Sequence, residues 1–157
     1  LSGIDCTGKK VIEFGGWRGS KANQALNRFP LLGGWANYDI CPSAMLDRDC
    51  LSDKYSITVP DRFIWETRRP AHGDIFVTAH AIEHLSAEHL SLLFKWLPDS
   101  IQWMYLCAPI KDSCTDEKWM DYGGTHILEI GWEQVLDLLP DFSLESGFGE
   151  FRWLKRK

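Results

Sequence analysis

A glycine-containing turn after a short apolar run is the first feature of the sequence that could do chemistry. The stretch Val11–Gly19 reads VIEFGGWRG, and a polar, helix-favouring stretch, Ser20–Arg28, follows it. Because glycine lacks a Cβ atom, it permits positive φ and lets a cofactor lie against the main chain. The helix that follows offers free N–H groups to the same ligand. The pattern predicts a strand, a glycine turn and a helix around a bound cofactor.

A carboxylate follows at the spacing expected for a ribose contact. Asp39 closes the second apolar stretch, Trp35–Ile40, about 20 residues beyond the glycine turn, where an acidic side chain accepts hydrogen bonds from the ribose hydroxyls of an adenosine. The alternative is that Asp39 caps a helix beginning near Pro42.

Histidines supply the remaining candidate chemistry. His80, Glu83 and His84 spell H-x-x-E-H, the pattern of inverted zinc metallopeptidases, in which both histidines lie on one long helix. Here the pattern follows a run of β-favouring residues, so no metal ligand set is predicted from it. His84, His126 and His80 remain candidates for a general base, with a hydrogen-bonding loop or cap role as the alternative for each.

The elements that must position these residues alternate between strands and helices. Strands are predicted at Lys10–Gly15, Trp35–Ile40, Tyr55–Val59, Asp74–Ala79 and Gln102–Ala108. Helices are predicted at Ser20–Arg28, Ser86–Trp96 and Trp132–Leu139, and a hairpin at Phe142–Glu145 and Phe151–Leu154. This order predicts an α/β fold, a Rossmann-like three-layer sandwich with a mostly parallel sheet and an antiparallel C-terminal hairpin.

Composition limits the class of protein. The chain has 157 residues, 45% of them hydrophobic, and a net charge of -5, which predicts one domain over residues 1–157 and makes a nucleic-acid partner unexpected. Its five cysteines include no C-x-x-C pair, which argues against a disulfide framework or a zinc ribbon. No apolar run reaches the ~18 residues that a membrane span needs, so a cytoplasmic protein without a membrane partner is predicted.

Four segments resemble motifs of class I S-adenosylmethionine-dependent methyltransferases. The first motif of that family is an acidic residue followed by three glycines at alternate positions. Glu13, Gly15 and Gly19 match it, and Trp17 stands where the middle glycine is expected. The other similar segments are DICPSAM at Asp39–Met45, GDIFVTAHAIEHL at Gly73–Leu85 and THILEIGWEQVLDLL at Thr125–Leu139.

The resemblance implies S-adenosyl-L-methionine as the cofactor and assigns its binding residues. Glu13 would orient the glycine turn and approach the methionine amino group through water, and Asp39 would hold the ribose. The other implied positions are the close-approach glycines Gly15, Gly16 and Gly19, the adenine neighbours Ile40, Met45 and Asp61, and the methionine neighbours Ala79 and His80.

The function that the resemblance implies is methyl transfer to an oxygen or nitrogen of a small-molecule or glycan-like acceptor. A catalytically inactive methyltransferase-like partner or regulatory subunit is the alternative, and Trp17 favours it. An NAD(P)-dependent oxidoreductase is less well matched, because G-x-G-x-x-G beginning at Gly15 would need glycines where Trp17 and Ser20 stand. The aromatic content leaves a homodimer open.

Overall fold

The computed structural model describes residues 4–16, 20–39, 54–58, 64–110 and 127–157. The strands are β1 Lys10–Phe14, β2 Gly34–Tyr38, β3 Tyr55–Thr58, β4 Ile75–Ala79, β5 Trp103–Cys107, β6 Phe142–Phe148 and β7 Phe151–Arg156. The helices are α1 Ser20–Arg28, α2 Ala87–Trp96 and α3 Trp132–Asp137, with short 3₁₀ turns at Ile64–Glu66 and Ile82–His84.

These strands form one seven-stranded sheet in the order β3-β2-β1-β4-β5-β7-β6. Strands β1 to β5 pair in parallel, whereas β7 runs antiparallel to both β5 and β6. The predicted α/β fold, with its mostly parallel sheet and antiparallel C-terminal hairpin, is confirmed.

Several element boundaries differ from the sequence prediction. Strand β2 ends at Tyr38 rather than Ile40, although the Asp39 N–H still donates to the carbonyl of Thr58 at 3.1 Å. Helix α3 ends at Asp137 rather than Leu139, because the approaching Pro140 disfavours helical backbone in the residue before it. The C-terminal hairpin is longer than predicted in both of its strands.

The two faces of the sheet carry separate cores because side chains alternate along each strand. On one face, Ile12 and Phe14 pack into a cluster that includes residues of α2 and α3. On the other face, Val11 packs with Ala22 and Leu26 of α1. Helices therefore cover both faces, which makes three layers, and every residue of the central strand β4 is buried.

Helix α2 shows how the local sequence sets an element's limits. Ser86 is its N-cap, as predicted, and its hydroxyl accepts a hydrogen bond from the His89 N–H at 3.2 Å. Leu90 and Leu93 are fully buried, and each contributes about 1.5–3 kcal/mol through that burial. Pro98 follows the C-cap and stops the helix. None of the helices in the described ranges has the length and apolar character required to cross a membrane.

Candidate active site

The carboxyl ends of the parallel strands place the candidate residues along one edge of the sheet. The Gly15–Gly16 turn follows β1, Asp39 follows β2 and His80 follows β4. Strands β1 and β4 are neighbours, while β2 and β3 lie on the far side of β1, so the strand order reverses between β1 and β4. Open α/β sheets bind ligands at such a reversal, outside the carboxyl ends of the strands.

Gly15 brings two loops of this edge into contact. Its φ of 73° lies in the left-handed region, and its N–H donates to the carbonyl of Tyr38 at 2.9 Å. An ideal Cβ at this position would overlap the Cβ of Ala81, just after β4. Only glycine fits here, since any side chain would be strained and would push the two loops apart.

Gly16 lies directly on two polar side chains of the sheet. Its N–H donates to Asn37 Oδ1 at 2.9 Å, and a Cβ at Gly16 would overlap the carboxylate of Glu13. Glu13 and Asn37 are paired in register across β1 and β2, and both are buried. The turn after β1 is therefore held down on the sheet by side chains of the two strands beneath it.

Glu13 is a buried carboxylate with an indole donor. It is 1% exposed, and its Oε2 accepts a hydrogen bond of 2.7 Å from Nε1 of Trp35, which is also buried. A buried charge needs such partners, because desolvation penalises the ionised form. Trp35 thereby fixes the carboxylate beneath the glycine turn.

Asp39 lies just beyond β2 and is 5% exposed. The neighbouring Tyr38 packs edge-on against Trp96, with ring centroids 4.8 Å apart. Burial raises the pKa of Tyr38 above its ordinary value. The end of β2 therefore combines an acidic side chain with an aromatic one fixed by the core.

The second half of the edge carries two histidines around one carboxylate. Glu83 is 1% exposed, and its Oε1 lies 3.7 Å from Nδ1 of His80 and 3.9 Å from Nε2 of His84. Glu83 and His84 lie in a short 3₁₀ turn, and His80 precedes that turn. Because no long helix carries the three residues, the H-x-x-E-H pattern does not form the helical zinc site of metallopeptidases.

His80 has an unusual backbone. Its φ of 55° is the one positive value at a non-glycine residue within the described ranges. Its N–H still donates to the carbonyl of Cys107 at 2.8 Å, which extends the pairing of β4 with β5 by one residue. On the far side of its ring, Nε2 lies 3.9 Å from Sγ of Cys107. The left-handed backbone of His80 therefore sets the direction of its imidazole at the end of β4.

The structure gathers about half of the predicted site residues. Those that it places along this edge are Glu13, Gly15, Gly16, Asp39, Ala79, His80 and His84. The predicted residues Gly19, Ile40, Met45, Asp61 and His126 lie outside the described ranges, as does Trp17.

Four residues that were not predicted from the sequence meet these positions in space. Trp35 and Asn37 contact Glu13 and Gly16 from the neighbouring strand, and the alternation of β2 could have placed both on the face of Glu13 once the register was known. The other two, Cys107 and Glu150, come from segments remote from the histidines in the sequence, which carries no local signal for that contact.

The strand order, the glycine turn after β1 and the acidic residue after β2 define the fold of class I S-adenosylmethionine-dependent methyltransferases. Solved structures of that class are similar to the chain. It aligns with mitomycin 7-O-methyltransferase MmcR at 19% sequence identity and a TM-score of 0.70, over 98% of this chain and 51% of that one. For magnesium protoporphyrin IX methyltransferase from Synechocystis PCC 6803 with bound SAH, identity is 14% and the TM-score 0.74, over 98% of this chain and 76% of the other.

A third similar structure is the pyocyanin biosynthetic protein PhzM, with 18% identity, a TM-score of 0.72, and coverage of 98% of this chain and 52% of that protein. The chain thus spans about half the length of MmcR and PhzM. No protein-family model and no curated protein sequence matches it. At these identities the likeness establishes the fold.

Proposed function

We propose that the chain is an S-adenosylmethionine-dependent methyltransferase that acts on an oxygen or nitrogen of a small-molecule or glycan-like acceptor. The observation that carries this proposal is the joint placement of the Gly15–Gly16 turn and Asp39 at adjacent strand ends. MmcR, by its name, is an O-methyltransferase, which favours oxygen as the accepting atom.

The residues present fit the cofactor. Gly15 and Gly16 add no side chains to the turn after β1, so a ligand can approach its main chain closely. Asp39, at the end of the next strand, would accept hydrogen bonds from the ribose hydroxyls. Glu13 would orient the turn from below, and Ala79 and His80 would lie beside the methionine portion.

We assign the remaining predicted positions by the same resemblance. Gly19 would complete the turn, while Ile40, Met45 and Asp61 would surround the adenine. These contacts would fix the nucleoside end of the cofactor and leave its methionine end directed towards β4.

When bound, S-adenosylmethionine supplies a methyl group on a positively charged sulfur. The chain then has to align the acceptor, exclude water and remove a proton where the acceptor carries one. We assign the removal of this proton to His84, and His80 and His126 are the other candidate bases. With Nε2 of His84 facing Glu83, Nδ1 is the atom that would take the proton, and Glu83 would stabilise the resulting imidazolium.

Calorimetric titration with S-adenosylmethionine, S-adenosylhomocysteine and NAD tests the proposal. We expect both sulfur nucleosides to bind and NAD not to bind. Asp39→Ala should weaken cofactor binding by about 1–3 kcal/mol, the cost of losing a hydrogen bond to a charged group. The exposed Asp5 provides the matched control, and Asp5→Ala should leave the affinity unchanged.

The other outcomes separate the alternatives. Binding of NAD alone would support an oxidoreductase and overturn the proposal. Cofactor binding without methyl transfer to any acceptor, measured with a labelled methyl group, would instead support the inactive partner subunit. Equal affinity of Asp39→Ala and the unsubstituted chain would show that the ribose lies elsewhere.

A further inference from the structure

Three side chains of different chemistry converge at the carboxyl ends of β4 and β5. A ring nitrogen of His80, Sγ of Cys107 and a carboxylate oxygen of Glu150 all lie within 4.8 Å of one another. We propose that these residues bind a divalent metal ion of the zinc type. Metal binding here does not require the proposed methyl transfer and is tested without the cofactor.

Backbone hydrogen bonds hold all three segments in place. Cys107 is the last residue of β5, and its carbonyl accepts the 2.8 Å bond from the His80 N–H. On its other side, Cys107 is paired with Phe151 of β7, and the Ala108 N–H donates to the carbonyl of Glu150 at 3.0 Å. The hairpin turn before β7 therefore delivers Glu150 to the end of β5. The site is built on the sheet, so the backbone positions of its three ligands are fixed before any ion binds.

The separation of the ligand atoms suits tetrahedral coordination. Zinc bonds of about 2.3 Å to sulfur and about 2.0–2.1 Å to nitrogen imply a sulfur-to-nitrogen distance of about 3.6 Å across the tetrahedral angle. Sγ of Cys107 and Nε2 of His80 are 3.9 Å apart. A contraction of a few tenths of an ångström, within the reach of side-chain rotation, would bring both atoms to bonding distance.

Glu83 is positioned to support His80 as a metal ligand. A metal-binding histidine donates its second ring N–H to a carboxylate or carbonyl, which fixes the tautomer and the ring orientation. His80 directs Nε2 towards Cys107, and its Nδ1 lies 3.7 Å from Oε1 of the buried Glu83. The left-handed φ of His80 is a second indication of a functional site, because such backbone conformations cluster at functional sites.

The donor set selects the kind of ion. One thiolate, one imidazole and one carboxylate are the ligands of zinc, whereas magnesium and calcium prefer oxygen donors alone. Cys107 would bind as the thiolate and release its proton. His84 takes no part, although the sequence pattern had paired it with His80. Three protein ligands are the number found in zinc sites that keep a fourth position for water or substrate.

The location gives the ion a role if the proposed function is correct. His80 follows β4, and the next residue, Ala81, touches Gly15 of the predicted cofactor turn. An acceptor hydroxyl held on the fourth position would lose its proton more readily, since a bound divalent ion lowers the pKa of such a group. His84 would then be the nearby base that takes this proton.

Titration of the reduced, metal-free chain with Co²⁺ tests the site, since Co²⁺ substitutes for zinc and shows a thiolate-to-cobalt absorption band in the near ultraviolet. We expect one Co²⁺ per chain, a band that appears on binding, and loss of that band when Zn²⁺ is added. Cys107→Ser should abolish the band, and Glu150→Gln should weaken Co²⁺ binding at least tenfold. Glu83→Gln should weaken it about 10- to 100-fold by releasing His80.

His80→Asn tests whether a loss of Co²⁺ binding results from misfolding. The His80 side chain is 53% exposed, and asparagine tolerates left-handed backbone, so this variant retains the fold. Its Co²⁺ affinity should fall at least tenfold while its circular dichroism stays unchanged. Cys6→Ser, at a buried cysteine that precedes β1 and packs in the cluster of Val11, is the matched cysteine control and should keep the band.

Two results would overturn the proposal. One is no thiolate band in the unsubstituted chain, and the other is full Co²⁺ affinity in either Cys107→Ser or His80→Asn. Neither result bears on the calorimetry with S-adenosylmethionine, so failure of the metal site and failure of the methyltransferase proposal are told apart.

Discussion

The two halves of the functional edge are built differently. On the β1–β2 side, the polar side chains of Glu13 and Asn37 are buried and bonded to the indole of Trp35 and to the backbone of Gly16. On the β4–β5 side, by contrast, the imidazoles are open to solvent, and that of His84 is 42% exposed. The first half is a fixed support suited to one invariant ligand. The second is an accessible surface of reactive groups, suited to a variable one.

The largest expected effect belongs to the open half. His84→Gln should lower the rate of methyl transfer about 10²- to 10⁴-fold, the usual contribution of a general base, while cofactor affinity stays unchanged. Single-turnover kinetics and calorimetry on the same preparation measure the two quantities. His72→Gln, at a residue of similar exposure before β4, should change neither. A loss of cofactor affinity in His84→Gln would contradict the assignment of cofactor binding to the fixed half and of proton removal to the open half.

Within the fixed half, Gly15→Ala should have the largest effect. The left-handed φ costs about 1–2 kcal/mol and the overlap with Ala81 about 1–3 kcal/mol more, so unfolding in urea should show a loss of roughly 2–5 kcal/mol. Gly8→Ala is the matched control, because Gly8 has a similar φ of 68° with no described atom within 4 Å of an added Cβ. Equal losses in the two variants would show that the contact between the loops contributes nothing.

Trp35→Phe, also in the fixed half, should lower the free energy of unfolding less than Gly15→Ala does. It removes the donor to Glu13 Oε2 and should cost about 1–3 kcal/mol of unfolding free energy. Combining it with Glu13→Gln gives a double-mutant cycle, and a coupling energy above about 0.5 kcal/mol would confirm direct interaction. Additive effects would mean that Trp35 acts through packing alone.

In both halves, the predictable residues were those next to a clear strand or helix pattern. The glycine turn and Asp39 could be predicted because each follows a strand with a clear apolar pattern, and Glu13 because it lies within the first of these strands. The Ser86 cap could be predicted because it precedes a helical period. Local sequence carries such signals since the residues involved are close together in the chain.

The other contacts of the site depend on strand register and strand neighbours, which local sequence does not specify. The bond from Trp35 to Glu13 requires the register of β1 against β2. The approach of Glu150 to Cys107 requires β7 to lie beside β5, and an alternating pattern cannot specify which strand is its neighbour. The positive φ of His80 is set by tertiary contacts, because histidine seldom adopts it unaided.

The contact of Gly15 with Ala81 has a thermodynamic consequence. The loop beneath the predicted nucleoside and the loop that carries His80 share one packing surface, so neither can shift without disturbing the other. A ligand that shifts either loop would therefore act on the other. By linkage, whatever factor an ion at His80 imposes on nucleoside affinity, the nucleoside must impose on ion affinity in equal measure.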